Sequence, residues 1–162
     1  MPEYGREFWE AHQTDRRLTP DQLLEIAEGH RRREDELVLN CNGYLFVDTD
    51  ATTTCAIARY YHGGVDPRLA ALAHAAERRY DLRFLCGEDI PYDDTPDRSG
   101  DVTRALMQKW IRADLIERRI PFLTLTGSID ERIALVRRIL RDFDRFGSLG
   151  NQLRTIFGGA AG

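Results

Sequence analysis

Three short apolar runs, each separated from the next by helical periodicity, limit what this chain can fold into more than any other feature. They are Gly43-Tyr44-Leu45-Phe46-Val47-Asp48, Leu82-Arg83-Phe84-Leu85-Cys86 and Phe122-Leu123-Thr124-Leu125-Thr126. Each has strand length, and they lie too far apart in sequence to form hairpins with one another. Strands that alternate with helices pack as a parallel sheet covered on both faces, so the pattern predicts a three-layer α/β fold. The first run ends in an acidic residue, Asp48. A carboxylate at the C-terminal end of a buried parallel strand sits where such sheets bind ligands.

The helical segments between these runs carry their own start signals. Thr19-Pro20-Asp21-Gln22 combines a cap, a proline whose missing N–H costs nothing and a glutamine at the capping-box position, so a helix is predicted from there to about Asn40. Further helices are predicted over 52–61, over 68–79 after Asp66-Pro67, and over 102–118. Ser128 caps a last helix with Glu131 three residues on, and Leu135, Val136, Ile139, Leu140 and Phe143 give that helix one apolar face. Residues 87–100 are acidic, contain Pro91 and Pro96 and show no period, which is the composition of a long functional loop or lid. The reading is one domain over 1–157, sized to bury a core, with a flexible tail at 158–162.

Composition narrows the function classes. A net charge of −4 gives no electrostatic reason to expect nucleic acid or an anionic membrane. Arg31-Arg32-Arg33 is followed at once by Glu34, Asp35 and Glu36, the pattern of a solvated helix face. Cys41, Cys55 and Cys86 are odd in number, far apart and without a Cys-x-x-Cys pair. That argues against a disulfide framework and a structural zinc site, and for a reducing cytoplasm. The four histidines lack ligand spacing, Ser99 and Ser128 lack a nucleophile elbow, no run has transmembrane length, and the charged N-terminus is no signal peptide.

Four clusters fall at strand ends or in the loops beyond them: Glu3 with Arg6, Asp48-Thr49-Asp50, Tyr60-Tyr61-His62-Gly63, and 89–101 with Arg98 inside it. Carboxylates just past a strand can hold Mg²⁺ through water or take a proton from a hydroxyl, and a loop arginine can neutralise a transferring phosphoryl group. Asp48 or Asp50 could equally accept N–H groups of the helix beginning near Thr52, and the sequence leaves both readings open.

The order of motifs is more informative than any one of them. Pro-Glu-Tyr-Gly-Arg-Glu at 2–7, Leu-Thr-Pro-Asp-Gln-Leu-Leu-Glu-Ile-Ala-Glu-Gly-His at 18–30, Phe-Val-Asp-Thr-Asp-Ala-Thr-Thr-Thr at 46–54, Tyr-Tyr-His-Gly at 60–63 and Asp-Ile-Pro-Tyr-Asp-Asp-Thr-Pro-Asp-Arg at 89–98 resemble the NadR-type ribosylnicotinamide kinase domain and its AAA-class ATPase relatives. The resemblance implies a P-loop kinase fold, ATP and Mg²⁺ as cofactors, and phosphoryl transfer to a small nucleoside-like acceptor, nicotinamide riboside first among them. It implies Glu3, Asp48 and Arg98 as catalytic residues, and Arg6, Asp50, Tyr61 and Tyr92 as acceptor contacts. Mg²⁺ would be held through water by Asp48 and Asp50. Tyr92 stands where such kinases more usually show Trp, and Thr95-Pro96 where they show Asp-Gly.

A P-loop kinase also needs Gly-x-x-x-x-Gly-Lys-Ser/Thr after its first strand. The chain has no such run, and its sole lysine, Lys109, lies in a predicted helix with no glycine before it. The expectation is therefore a P-loop kinase fold without its first strand and Walker A loop, the N-terminal part of a longer kinase being absent and the chain inactive as it stands. An AAA-class ATP-binding or regulatory module, or a non-catalytic domain that binds a ligand or partner, is the rival.

Overall fold

The computed structural model describes residues 1, 4–12, 17–90 and 101–157, and for 101–103 and 144–157 the backbone alone. In chain order the elements are α1 (Tyr4–His12), α2 (Pro20–Leu39), α3 (Ala51–His62), α4 (Pro67–Ala76), β1 (Phe84–Cys86), α5 (Asp101–Glu117), β2 (Leu123–Leu125) and α6 (Ile129–Phe157). The chain divides into two compact units, residues 1–84 with 92–123, and residues 85–91 with 124–162.

The predicted helix starts are made by local chemistry. Thr19 Oγ1 accepts from the Gln22 backbone N–H at 3.3 Å while Gln22 Oε1 accepts from the Thr19 N–H at 2.9 Å, a reciprocal capping box that opens α2. Asp66 caps α4, with Pro67 in its first turn. α3 stops at Gly63, whose φ of 67° is the left-handed conformation that closes a helix without a Cβ clash. Thr19→Ala should cost about 1 kcal/mol, which at this chain length lowers the melting midpoint by about 2–4 °C. Circular-dichroism melting checks it, and an unchanged midpoint would mean that packing alone holds the start of α2.

In the first unit, α3 is the central helix and packs on α2, α4 and α5. Its buried face is Ala51, Cys55 and Ala58, which meet Leu23, Leu24 and Ala27 of α2 and Leu69, Ala73 and Ala76 of α4. Small side chains let the helices approach closely, and the leucines fill the space left. Charge ties α5 to this core: buried Asp114 accepts from Arg59 at 2.9 Å and from Arg118 at 2.7 Å, and Arg118 reaches Glu77 at 2.8 Å.

α1 is a helix that the sequence reading did not predict. It docks on α2 through buried Phe8, a two-pronged Glu7–Arg33 pair at 2.6 and 2.9 Å, and the Tyr4 ring, over which the Arg33 guanidinium lies at 4.8 Å. A Cβ at Gly29 would stand 2.3 Å from the Tyr4 ring, so a glycine is what lets α1 lie this close. The Arg31–Arg33 run is thus engaged within the protein, Arg33 with Glu7 and Arg31 with Asp35.

The sheet departs from expectation. β1 and β2 pair through Leu123 N–H to Arg83 O at 2.9 Å and Gly87 N–H to Leu125 O at 2.7 Å, bonds that run in the same direction along both strands and make the pair parallel. Residues 43–48, predicted as a strand, form none. An apolar run becomes a strand only when a neighbour completes its hydrogen-bond ladder, and none is present among the described residues. The run stays extended, its Tyr44 and Phe46 exposed with rings 6.4 Å apart, and the Met1 ammonium donates to the Phe46 carbonyl at 2.5 Å. The described residues therefore build a mostly helical α/β fold around a two-stranded parallel sheet, without the expected three layers.

In the second unit, Gly127 turns the chain out of β2 with φ 89°, and the predicted Ser128–Glu131 cap is present, with the Ser128 N–H donating to Glu131 at 2.7 Å. Buried Arg132 donates to the Leu125 and Gly127 carbonyls at 2.8 Å each and pairs with Asp89. No helix among the described residues is long and apolar enough to cross a membrane.

Candidate functional site

The turn Asp48-Thr49-Asp50 leads directly into α3, and its two aspartates do different things. Asp50 is buried and caps the helix: Oδ1 accepts from the Thr53 N–H at 3.0 Å and the Thr52 hydroxyl at 2.6 Å, and Oδ2 accepts from Arg83 at 2.7 Å. The Asp48 carboxylate is exposed and has no partner among the described residues. Between them Thr49 has φ 62°. For a β-branched residue this left-handed conformation costs about 1–3 kcal/mol and persists only where the surroundings over-determine it.

The surroundings on one side are a buried polar network. His30 and Glu34, one turn apart on α2, are each 3 % exposed. His30 Nε2 lies 3.0 Å from the Asp48 carbonyl, which can only accept, so Nε2 carries a hydrogen and donates it. His30 Nδ1 faces Glu34 Oε1 at 3.2 Å, and Glu34 also accepts from the Tyr80 hydroxyl and Arg79 Nε, both at 2.6 Å. Burial pushes the Glu34 carboxyl upward, but the hydrogen bonds from His30, Tyr80 and Arg79 outweigh it and hold the group below its ordinary range. Burial, with the Glu34 contact, pushes the Tyr80 phenol far up, so its hydroxyl stays a donor.

The sign of the Glu34 shift fixes a pH dependence. A depressed carboxyl stabilises the fold fully above its unfolded value, about pH 4.3, and that contribution is lost as pH falls through the lower folded value. Glu34→Gln should therefore be less stable than the parent at about pH 7, with the difference shrinking toward about pH 3. Urea-unfolding midpoints at the two pH values measure it, and a difference independent of pH would show that Glu34 is not ionised in the fold.

The other candidates are not gathered at this turn. Tyr61 lies eleven positions beyond Asp50 on the same helix, about 16 Å along its axis. Its ring meets Tyr60 edge-on at 4.9 Å and Arg17 at 5.8 Å, and Arg17 also donates to the Tyr61 carbonyl. Arg6 is exposed on α1. Glu3, Tyr92 and Arg98 lie outside the described residues. Four residues at the turn escaped the sequence reading: His30, Glu34, Tyr80 and Arg83. Arg83 did leave a signal, since an arginine inside an apolar strand run needs a buried partner.

The donor set bears on the cofactors that the resemblance implies. Asp48 fits Mg²⁺ held through water, as an exposed carboxylate that no described residue engages. Asp50 has both oxygens engaged by α3 and Arg83. No group of three or more His, Cys, Asp or Glu side chains that could hold a metal ion occurs among the described residues. For ATP the fit fails: the sequence has no Gly-x-x-x-x-Gly-Lys run, and Lys109 is exposed on α5.

Comparison with known proteins gives the lineage. Residues 1–132 match a family model described as AAA domain. The chain is 31% identical over 125 residues to the trifunctional NAD biosynthesis/regulator protein NadR of Salmonella typhimurium (strain LT2), an alignment covering 75% of this chain and 30% of that protein. It is also 31% identical over 130 residues to the protein of the same name from Escherichia coli (strain K12), with the same coverage of each. The chain thus spans about three-tenths of the length of the curated relatives it matches. The model match takes in both the Asp48–Asp50 turn and the network behind it, and by that match the chain belongs to the AAA domain family.

Proposed function

We propose that this chain is the acceptor-side part of an ATP-dependent small-molecule kinase of the ribosylnicotinamide type, with nicotinamide riboside as the acceptor. The observation that carries the reading is the exposed Asp48 carboxylate, without a partner among the described residues and presented on a strained turn by two buried supports. Similarity to proteins named for NAD biosynthesis supports the acceptor class. The odd number and wide spacing of Cys41, Cys55 and Cys86 accord with a cytoplasmic setting.

In this reading Asp48 orients the acceptor 5′-hydroxyl and accepts its hydrogen bond, and would be the residue to hold Mg²⁺ through water. Asp50 keeps the turn in place from the start of α3. By the resemblance, Glu3 and Arg6 would contact the acceptor, Tyr61 and Tyr92 its flat ring, and Arg98 the charge on a transferring group. One observation favours the second reading, an AAA-class ATP-binding or regulatory module or a non-catalytic binding domain: no phosphate-cradling glycine loop is present in the sequence.

Titration of the ¹⁵N-labelled chain with nicotinamide riboside separates the two. The kinase reading expects amide shifts across 48–53, weakened about tenfold or more by Asp48→Asn, since a hydrogen bond to a charged group is worth about 1.5–3 kcal/mol. Silence across 48–53 while ADP perturbs other amides would overturn it in favour of the second reading.

A further inference from the structure

We propose that His30 and Glu34 are a positioning pair that sets the Asp48-Thr49-Asp50 turn from within α2, so that the direction of the Asp48 carboxylate is decided by a buried hydrogen bond to the Asp48 carbonyl. That carbonyl accepts from two donors, His30 Nε2 at 3.0 Å and the Thr49 hydroxyl at 2.6 Å. Thr49 can leave its φ of 62° most directly by a flip of the peptide between Asp48 and Thr49. The flip would turn the Asp48 carbonyl away from both donors and leave the buried His30 Nε2 without an acceptor, a cost that holds the strained conformer in place.

The pair is itself held. Glu34 Oε1 faces His30 Nδ1, and Tyr80 and Arg79 bind the same carboxylate, so the ring can neither rotate nor withdraw without breaking several contacts. Asp50, on the other side of the turn, is tied to Arg83 and to the first turn of α3. The flexible part of the segment is thereby reduced to the Asp48 side chain, which is the group that points to solvent. A site gains most from residues whose own geometry is fixed by supporting hydrogen bonds, and removing such a support from a metal-holding group typically costs 10–100-fold in affinity. That the turn serves Mg²⁺ and an acceptor rests on the kinase reading above; the coupling of His30 to Thr49 does not.

Two substitutions separate positioning from packing. The side-chain amide of glutamine reaches where Nε2 of histidine lies, whereas that of asparagine reaches only as far as Nδ1. His30→Gln should keep the donor to Asp48, and His30→Asn should keep only the contact with Glu34. The experiment records backbone ¹³C and ¹⁵N shifts of Thr49 in the full chain, and paramagnetic broadening of the 48–50 amides by Mn²⁺ as the probe. We expect left-handed Thr49 shifts in the parent and in His30→Gln, loss of them in His30→Asn, and about tenfold weaker Mn²⁺ binding in the asparagine variant alone. Equal Thr49 shifts in all three proteins, or equal losses in both variants, would overturn the proposal. If the parent shows no Mn²⁺ broadening at the turn, the Mg²⁺ assignment of Asp48 fails while the Thr49 shifts still decide the positioning pair. Should His30→Asn not fold, a through-hydrogen-bond coupling between His30 Nε2 and the Asp48 carbonyl carbon in the parent decides it, and absence of that coupling overturns the pair.

Discussion

Asp50→Ala is expected to destabilise the fold by about 3–5 kcal/mol, while Asp48→Ala, two residues away, changes it by no more than about 0.5 kcal/mol. The difference follows from what each carboxylate touches. Removing the Asp50 side chain takes the acceptor from the Thr53 N–H and the Thr52 hydroxyl and leaves Arg83, whose side chain is only 13 % exposed, without its anion. Breaking a buried pair from one side costs more than the pair contributes, because the remaining charge stays desolvated. Among the described residues Arg83 then keeps the Ala76 carbonyl at 2.6 Å, the Thr52 hydroxyl at 3.1 Å and the face of the Tyr80 ring at 4.7 Å, none of which is an anion. At this chain length the loss corresponds to a melting midpoint lowered by roughly 6–20 °C. Asp50→Asn should fall between the two, since an amide oxygen can still cap α3 but cannot neutralise the guanidinium. Thermal melts of the three variants give the answer, and an Asp50→Ala midpoint within about 2 °C of the parent would show that the Asp50–Arg83 pair is not a structural element.

That contrast marks where sequence reasoning stops. Whether Asp48 or Asp50 capped the following helix stayed open in the sequence because both lie within reach of its first turn; the structure gives the cap to Asp50. Signals confined to a few neighbouring residues were legible: Thr19 with Gln22, Asp66 with Pro67, and Ser128 with Glu131 all cap the helices they announce. α1 was not legible, because it is fixed by Glu7 reaching Arg33 and by Tyr4 fitting over Gly29, contacts between residues far apart in the chain. The run at 43–48 has the composition of a strand, but composition cannot supply the neighbouring ladder on which a strand depends. The supports of the turn were hidden for the same reason, since His30 and Arg83 stand 18 and 33 residues from the groups they bind.

Purified as residues 1–162, the chain is expected to transfer phosphate from ATP to nicotinamide riboside at least about a thousandfold more slowly than the roughly 1–100 s⁻¹ typical of kinases. Phosphoryl transfer is mostly positioning and charge stabilisation, so the protein's share of catalysis lies in the groups that hold the β- and γ-phosphates. Those groups are a run of backbone N–H donors from a glycine loop and a lysine at its end, and this sequence has neither. Lys109 cannot substitute, because it stands on α5 between Gln108 and Trp110, where an ordered helix keeps its backbone N–H groups within its own ladder. Among the described arginines, Arg33, Arg59, Arg79, Arg83, Arg118 and Arg132 are already paired with carboxylates. Recruiting one of them for phosphate would break an ion pair that the fold uses. Asp48 has no partner among the described residues, but a carboxylate alone can orient a hydroxyl and contributes nothing to holding a triphosphate. Acceptor binding without turnover is therefore the expected pattern, read by nicotinamide riboside titration beside a coupled assay for ADP release. Turnover within about tenfold of an ordinary kinase would mean that a phosphate cradle exists in the chain that neither its glycines nor its lysine reveal.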